Sequence, residues 1–276
     1  TSTMRSWLNG YGASSNSGGN SGIDYTSDNF LGSAFSTKEQ AAIVETTVVN
    51  DDNTDYGTDG GDNTTDRIFL LSIAEVYDRS YFPDYLCFST NTAYVANGGK
   101  LGSGMFGANE ADRWWLRSPG FYHWQAAFIE NDGSPVADGN PVNDKSSAVR
   151  PAFNLNLSDV VFTSAATGGK SASGMDSGLT AVQNYSGNDW KLTLKDSDHN
   201  SFSVSNQTWS GNSLTFSYAG AQTGPNEYIS AIIEENGAIT YYGRILQLSD
   251  ATNGASGTAS LSLPDDVALS ETAELY

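Results

Sequence analysis

The segment ADRWWLRSPGFYHWQAAFIENDGSPV, residues 111–136, constrains the fold more than any other part of the chain. Trp114 and Trp115 are adjacent, and consecutive side chains of a β-strand point to opposite faces of a sheet. Two indole rings on opposite faces can both be buried only if the strand is covered on both sides. We therefore predict that Trp114 and Trp115 are structural residues of a strand between two apolar layers.

Two arginines with apolar neighbours and a nearby proline extend this pattern: Arg117 in LRSPG and Arg150 in VRPAF. A guanidinium offers five N–H donors in a planar fork, so such residues usually connect loops through carbonyls or carboxylates. We predict structural roles for both. Between them, AAFIENDGSPVA contains Asp132-Gly133, a dipeptide that favours the tight turn of a β-hairpin.

The residue pattern changes near residue 158. Before it, Ser36 with Glu39 and Ser72 with Glu75 have the spacing of a capping box at a helix N-terminus. After it, stretches such as NSLTFSYAG and AIIEENGAITYYGR alternate apolar and polar residues between turns, which indicates strands. We predict a first domain over 1–158, a linker with a first strand over 159–178, and an all-β immunoglobulin-like sandwich over 179–276.

The chain is strongly acidic, with 32 Asp and Glu against 13 Lys and Arg and a net charge of −19. This field repels phosphates, so we predict no nucleic-acid partner. No run reaches 18 apolar residues, so we predict no membrane insertion within the chain. The opening TSTMRSWLNG is interpreted as the start of a secreted chain whose export signal has been removed. The predicted location is extracellular.

Metal and cofactor sites are poorly supported by the sequence. Cys87 is the only cysteine, which excludes an intrachain disulfide and a multi-thiolate metal site. The acidic loop at residues 50–66 offers oxygen ligands, but Tyr56 stands where an EF-hand loop has its glycine. We predict no cofactor. Calcium bound by this loop, or by carboxylates near Asp138 and Asp144, stays open as the alternative.

The loops between the two arginine motifs have the composition of a binding surface. Aromatic, amide and carboxylate side chains on loops over a rigid scaffold are typical of recognition sites. The chain contains no Gly-x-Ser-x-Gly elbow, and we predict no catalytic residue. The predicted ligand-binding residues are Tyr122, His123, Trp124, Asp138, Asn140, Asn143 and Asp144.

The succession MRSWLNG, FSTKEQAAI, DRIFLLS, WWLRSPG, AAFIENDGSPV and VRPAFNL resembles a family of uncharacterised surface domains from Gram-positive, often gut-dwelling, bacteria. The Trp-rich strand, the hairpin and VRPAFNL also resemble the C-type-lectin-like fold of formylglycine-generating enzymes and of retroelement-diversified variable proteins. The resemblance implies an α+β C-type-lectin-like domain over roughly residues 1–157. It does not imply enzymatic activity, because formylglycine-generating enzymes rely on cysteines and this chain has only Cys87.

These observations predict an extracellular module of a bacterial cell-surface protein that binds a protein or glycan on another cell or a host. One alternative is a non-binding structural spacer of an adhesin, in which Tyr122 and Trp124 would be buried. Another is a secreted glycoside hydrolase-like enzyme, with two converging carboxylates in a deep pocket. The resemblance also raises retroelement diversification of residues 121–147, which are rich in Asn, Asp, His, Tyr and Ser.

Overall fold

The chain divides into two compact units, Thr1–Asn156 and Leu157–Tyr276. Of the residues described, 41% lie in strands and 13% in helices. None of the described helices is long and apolar enough to cross a membrane. The computed structural model describes residues 2–14, 22–83, 87–89, 92, 112–166, 179–182, 189–195, 199–225, 227–248, 254–265 and 267.

The described part of the first unit contains four short helices. The Ser36 and Ser72 side chains each accept a hydrogen bond from the backbone N–H of the glutamate three residues on. Each glutamate in turn accepts from the serine backbone, so both predicted capping boxes are confirmed. The helices are α1 (Thr3–Asn9), α2 (Phe30–Ala34), α3 (Thr37–Ala42) and α4 (Ile73–Tyr77).

Within the residues described, the same unit also has seven strands in three antiparallel sheets. One sheet has three strands in the order β4-β5-β6, and two sheets are pairs, β1 with β7 and β2 with β3. Gly133, at the predicted Asp132-Gly133 turn between β5 and β6, has a φ of 83°. The strands are β1 (Ile43–Val44), β2 (Thr46–Val48), β3 (Thr64–Asp66), β4 (Trp114–Pro119), β5 (Gln125–Ile129), β6 (Pro135–Pro141) and β7 (Asn154–Leu155).

Strand β4 separates two apolar clusters. Trp114 packs with Leu116 and Ile129 in one cluster. Trp115 packs with Phe128 and other apolar side chains in the other, and its ring meets the Phe128 ring edge-on at 6.2 Å between centroids. The alternation of side chains along a strand places the two tryptophans on opposite faces. The β4-β5-β6 sheet is therefore packed on both sides.

The second unit is built from strands and one short 3-10 helix, Leu157–Asp159, within its described part. Its main cluster joins apolar side chains of β12, β13, β14 and β15. Asn236 and Gly237, with φ values of 52° and 80°, form the turn between β13 and β14. The strands are β8 (Val160–Ala165), β9 (Thr180–Ala181), β10 (Trp190–Leu194), β11 (Ser203–Ser210), β12 (Ser213–Ala219), β13 (Tyr228–Glu235), β14 (Ala238–Gln247) and β15 (Gly257–Ser262).

The predicted fold class, an α+β C-type-lectin-like domain followed by an immunoglobulin-like sandwich, is wrong. The described residues are mostly β, in several small sheets, and no clear C-type-lectin-like arrangement is present among them. In the second unit the described strands form three separate sheets, β8 with β10, β11-β12-β15 and β13-β14-β9.

The excess of strand over helix has a local physical cause. Capping boxes start helices, but they do not determine where helices end. Directly after α3 the chain reads IVETTVV, and β-branched side chains favour strands over helices. Helix α3 accordingly ends at Ala42, and β1 begins at Ile43. The linker segment predicted over 159–178 includes β8, and its residues 167–178 lie outside the described part of the chain.

Candidate functional site

Four aromatic side chains at one end of the β4-β5-β6 sheet form a continuous surface, which we call the aromatic strip: Tyr56, Phe121, Tyr122 and Trp124. Their exposed fractions are 43%, 47%, 51% and 47%. Centroid distances are 5.0 Å from Tyr56 to Phe121, 4.6 Å from Phe121 to Tyr122 and 5.4 Å from Tyr122 to Trp124. Each ring contacts the next in the strip, and all four are open to solvent.

The ring planes of the strip are not coplanar. The Tyr56 and Phe121 planes meet at 61°, and the Phe121 and Tyr122 planes meet at 75°. Tyr122 and Trp124 lie within 8° of parallel and are stacked. The strip therefore presents aromatic faces in successive directions rather than a flat platform.

Backbone hydrogen bonds fix the turn between β4 and β5, which contains three of the four rings. Gly120 N–H donates to the Gln125 carbonyl, and Gln125 N–H donates to the Tyr122 carbonyl, both at 2.9 Å. Phe121 N–H donates to the Asp138 carbonyl at 2.8 Å. The Gln125 side-chain oxygen accepts from Tyr122 N–H at 3.0 Å. Hydrogen bonds within the turn and to β6 therefore hold the backbone that carries these rings.

The fourth ring, Tyr56, comes from the acidic loop between β2 and β3, and Asn53 holds this loop against the turn. The Asn53 side chain is buried, and its amide donates to the carbonyls of Pro119 and Ala137, each at 2.8 Å. The Thr58 hydroxyl donates to the Phe121 carbonyl at 2.8 Å. These contacts place Tyr56 beside Phe121 although the two residues are far apart in sequence.

The surface around the strip is negative. Residues 50–66 and 119–144, which together supply the four rings, contain no Lys or Arg. Exposed carboxylates lie on both segments. Those at the strip end belong to Asp51, Asp52, Asp55, Asp59, Asp62 and Asp138.

The structure places the predicted ligand-binding residues at the same end of the sheet as the strip. His123 is exposed between Tyr122 and Trp124, and it makes no hydrogen bond to another described residue. Asp138 and Asn143 are exposed, whereas Asn140 is half-buried in β6. Asp144 is half-buried, and its carboxylate accepts from Ser146 N–H at 2.9 Å. Asp138 and Asn143 are therefore the polar side chains best placed to meet a ligand.

The segment proposed for diversification does not form one surface. Tyr122, His123 and Asn143 lie at the strip, where the β4–β5 turn and the end of β6 meet. Asn131 and Asp132 lie in the β5–β6 turn, at the other end of these strands. A ligand bound at the strip would therefore contact only part of residues 121–147.

The predicted structural arginines contact carbonyls, a carboxylate and aromatic rings that are not part of the strip. Arg117 donates to the Leu70 carbonyl at 2.8 Å and to the Val49 carbonyl at 3.0 and 3.2 Å, and it pairs with Glu75. Arg117 thereby joins β4 to the backbone at Val49, directly after β2, and to the backbone at Leu70. Arg150 lies 4.8 Å from the Trp114 ring centroid and 5.6 Å from that of Phe82.

Burial changes the pKa of two groups beside Trp114. It lowers the pKa of the Arg150 guanidinium, although the Cys87 thiol opposes that shift. It also raises the pKa of Cys87, whose buried side chain packs in the Trp114 cluster. A buried thiol with a raised pKa is a poor nucleophile, so Cys87 belongs to the core rather than to a reactive site.

Sequence reasoning missed two of the four rings. Phe121 was visible in GFYHW but was omitted from the predicted site, although four of those five residues are aromatic. Tyr56 had no local signal, because its role depends on the Asn53 contacts to a distant turn.

The two histidines lie in different units, and His199 pairs with Glu227 at 3.0 Å.

The acidic loop uses several of its side chains internally. Asp52 accepts from Gly60 N–H at 3.0 Å, and Asp59 accepts from Gly61 N–H at 2.8 Å. Among the described residues, no group of three or more His, Cys, Asp or Glu side chains is arranged to hold a metal ion. Calcium binding stays an untested alternative.

Comparison with known proteins gives one match. A family model described as a domain of unknown function, DUF6273, matches residues 1–157. No curated protein matches the chain, and no solved structure matches it.

Proposed function

The chain belongs, through residues 1–157, to the DUF6273 family of domains of unknown function, and we propose that this domain binds a ligand through the aromatic strip. In this proposal the chain is a recognition module of an extracellular protein at a bacterial cell surface. The ligand is a glycan or a protein on another cell or a host.

The observation that supports binding is the exposure of four contacting rings on an ordered backbone. Single apolar side chains are common on protein surfaces, but a contiguous exposed group usually marks an interaction site. Tyr and Trp offer large contact areas at low entropic cost, because they have only two side-chain torsions. The hydrogen-bonded turn lowers that cost further, since little backbone has to be ordered on binding.

The spacer alternative is less well supported than binding. The spacer alternative predicts that Tyr122 and Trp124 are buried, yet about half of each residue is open to solvent, and both rings belong to a contiguous group.

The test is a binding comparison between the full chain and two variants. Tyr122→Ala with Trp124→Ala removes the stacked pair, whereas Trp209→Ala removes a 46% exposed tryptophan of the second unit and is the matched control. On an array of glycans and host matrix proteins, we expect specific signals for the full chain and for Trp209→Ala only. Both variants should retain the melting temperature of the parent, because surface substitutions usually change stability by less than about 0.5 kcal/mol.

Two results would contradict the proposal. One is an array without any specific signal from folded protein. The other is a set of signals that the double substitution leaves unchanged.

A further inference from the structure

Resting on the proposed function, we infer that the aromatic strip binds a single, uncharged glycan chain. It selects against anionic polymers and against the flat faces of crystalline polysaccharides. Ring chemistry, the charge of the surface and the angles between the rings support this choice of ligand.

Ring chemistry suits sugars. Pyranose rings present C–H bonds on their faces, and these pack against the electron-rich faces of aromatic rings. Contacts inside the strip cover part of each ring: Tyr122 and Trp124 stack on each other, and Phe121 meets Tyr56 and Tyr122 edge to face. Sugar units of a bound chain can therefore pack on the ring faces that these contacts leave open to solvent.

Polar groups at the margin suit hydroxyl-rich ligands. Asp138 and Asn143 are exposed beside the strip, and their oxygens accept hydrogen bonds from hydroxyl groups. Asp138 is held next to Phe121 by the backbone hydrogen bond between them. A glycan hydroxyl can therefore meet a carboxylate while its ring stacks on an aromatic side chain.

The charge around the strip excludes anionic ligands. The two segments that supply the rings have several exposed aspartates and no Lys or Arg. Charges on neighbouring loops act within the Debye length, which is about 8 Å at physiological ionic strength. Uronate, sulfate and phosphate groups on a bound chain would be repelled by these aspartates, and the exposed Lys145, two residues after Asn143, offsets only part of that negative charge.

The ring angles separate single chains from crystalline surfaces. A crystalline face is flat and can contact several rings at once only if the rings lie in one plane. The Tyr56, Phe121 and Tyr122 planes turn by 61° and then by 75°, and Tyr122 and Trp124 are stacked rather than side by side. A soluble chain can twist about its glycosidic bonds to follow these directions, whereas a crystal cannot.

Affinity electrophoresis of the full chain tests the inference. The gels contain soluble neutral polysaccharides: a β-glucan, a mannan, a galactan and an arabinoxylan. We expect at least one to retard the protein. Tyr56→Ala and Trp124→Ala should each weaken that interaction about tenfold or more, as expected for the truncation of an aromatic side chain that contacts the ligand. Trp209→Ala should retain the affinity of the parent.

Matched ligands test the two exclusions. A carboxymethylated form of the retained polysaccharide should bind more weakly at low salt and regain affinity as salt rises, since screening removes the repulsion. Sedimentation with crystalline cellulose and chitin should remove little protein from solution. Equal affinity for the carboxymethylated form, or strong sedimentation with a crystal, would overturn the corresponding exclusion.

Failure of this inference is distinguishable from failure of the proposed function. If no neutral polysaccharide retards the chain, the glycan inference is wrong. The proposed function survives that result only if the array shows a protein signal that Tyr122→Ala with Trp124→Ala abolishes. If both experiments are negative, both proposals fail.

Discussion

The buried carboxylate of Asp66, the last residue of strand β3, connects this strand to the first helix of the chain. Its oxygens accept from Arg5 Nε at 2.8 Å, from the Tyr11 hydroxyl at 2.6 Å and from the Thr64 hydroxyl at 2.7 Å. A buried charge is tolerated only when its hydrogen-bonding capacity is filled, and here three side chains fill it. The Tyr11 hydroxyl is a neutral donor to this carboxylate from the N-terminal segment.

We predict that the stabilising effect of Tyr11 disappears at alkaline pH. Burial, and then the hydrogen bond to Asp66 and its negative charge, raise the pKa of Tyr11 from 10.0 to about 12. The folded protein therefore holds this proton more tightly than the unfolded chain does. The contribution is complete below pH 10 and is lost as the pH rises through 12.

Urea unfolding of the full chain and of Tyr11→Phe measures this effect. At pH 8 we expect the substitution to lower the free energy of unfolding by about 1–2 kcal/mol, since it removes a hydrogen bond to a charged group. The difference between the two proteins should shrink between pH 10 and pH 12. Tyr77→Phe, at an exposed tyrosine, is the control and should match the parent. A difference for Tyr11→Phe that is constant with pH would show that the Tyr11 proton is not linked to folding.

At the scale of elements, the close approach of β5 and β6 beneath the strip depends on a glycine. Gly139 has a φ of +72°, and a Cβ built there would lie 2.4 Å from the Ala126 carbonyl oxygen. The register of the two strands shifts between Ala126 and Phe128, as at a β-bulge. Backbone atoms occupy the space that a side chain would need, so the strands would have to separate to admit one.

We predict that Gly139→Ala destabilises the first unit by about 3 kcal/mol or more, the sum of left-handed strain and a backbone clash. Gly57 is the matched control, because its φ is +70° but no atom lies within 4 Å of the added Cβ. Gly57→Ala should cost only about 1 kcal/mol, from strain alone. Thermal unfolding measures both variants. Equal losses would mean that β5 and β6 can separate at little cost.

The sequence predicted where elements begin better than how they continue. Ser36 and Ser72 start helices through contacts within four residues, and Asp132-Gly133 turns the chain by its own conformational preference. Helix length and sheet membership depend on partners elsewhere in the chain. The pairing of β1 with β7 joins Ile43 to Leu155, and no local pattern specifies that register.

At the scale of the whole molecule, the candidate site was predictable only in part. The turn at 121–124 was visible because its aromatic residues are consecutive. The complete strip needs Tyr56, which tertiary hydrogen bonds of Asn53 and Thr58 bring to the turn. The net negative charge, in contrast, follows from composition alone and can be counted directly from the sequence.

The excess of negative charge leads to a prediction about both units. Residues 1–158 have a net charge of −10, and the remainder has −9. Like charges held in a compact state repel one another more than in an expanded chain, so each unit is destabilised by its own carboxylates. The part-buried ion pairs of Arg5 with Asp66 and Arg117 with Glu75 act in the opposite direction, but salt screens such pairs less than it screens exposed charges. Repulsion among exposed carboxylates should therefore dominate the response to salt.

We expect the melting temperature of the full chain to rise by roughly 2–5 °C when NaCl increases from 0.01 to 0.1 M, a change that shortens the Debye length from about 30 Å to about 10 Å. Calorimetry measures the shift, and sucrose of equal osmolality, which does not screen charge, is the control. Because both units are similarly acidic, every unfolding transition should move in the same direction. A melting temperature that falls with NaCl would mean that attraction within the ion pairs outweighs repulsion among the exposed carboxylates. The negative field at the strip would then be too weak to select against anionic ligands. The same salt range therefore tests the electrostatics of the fold and of the aromatic strip together.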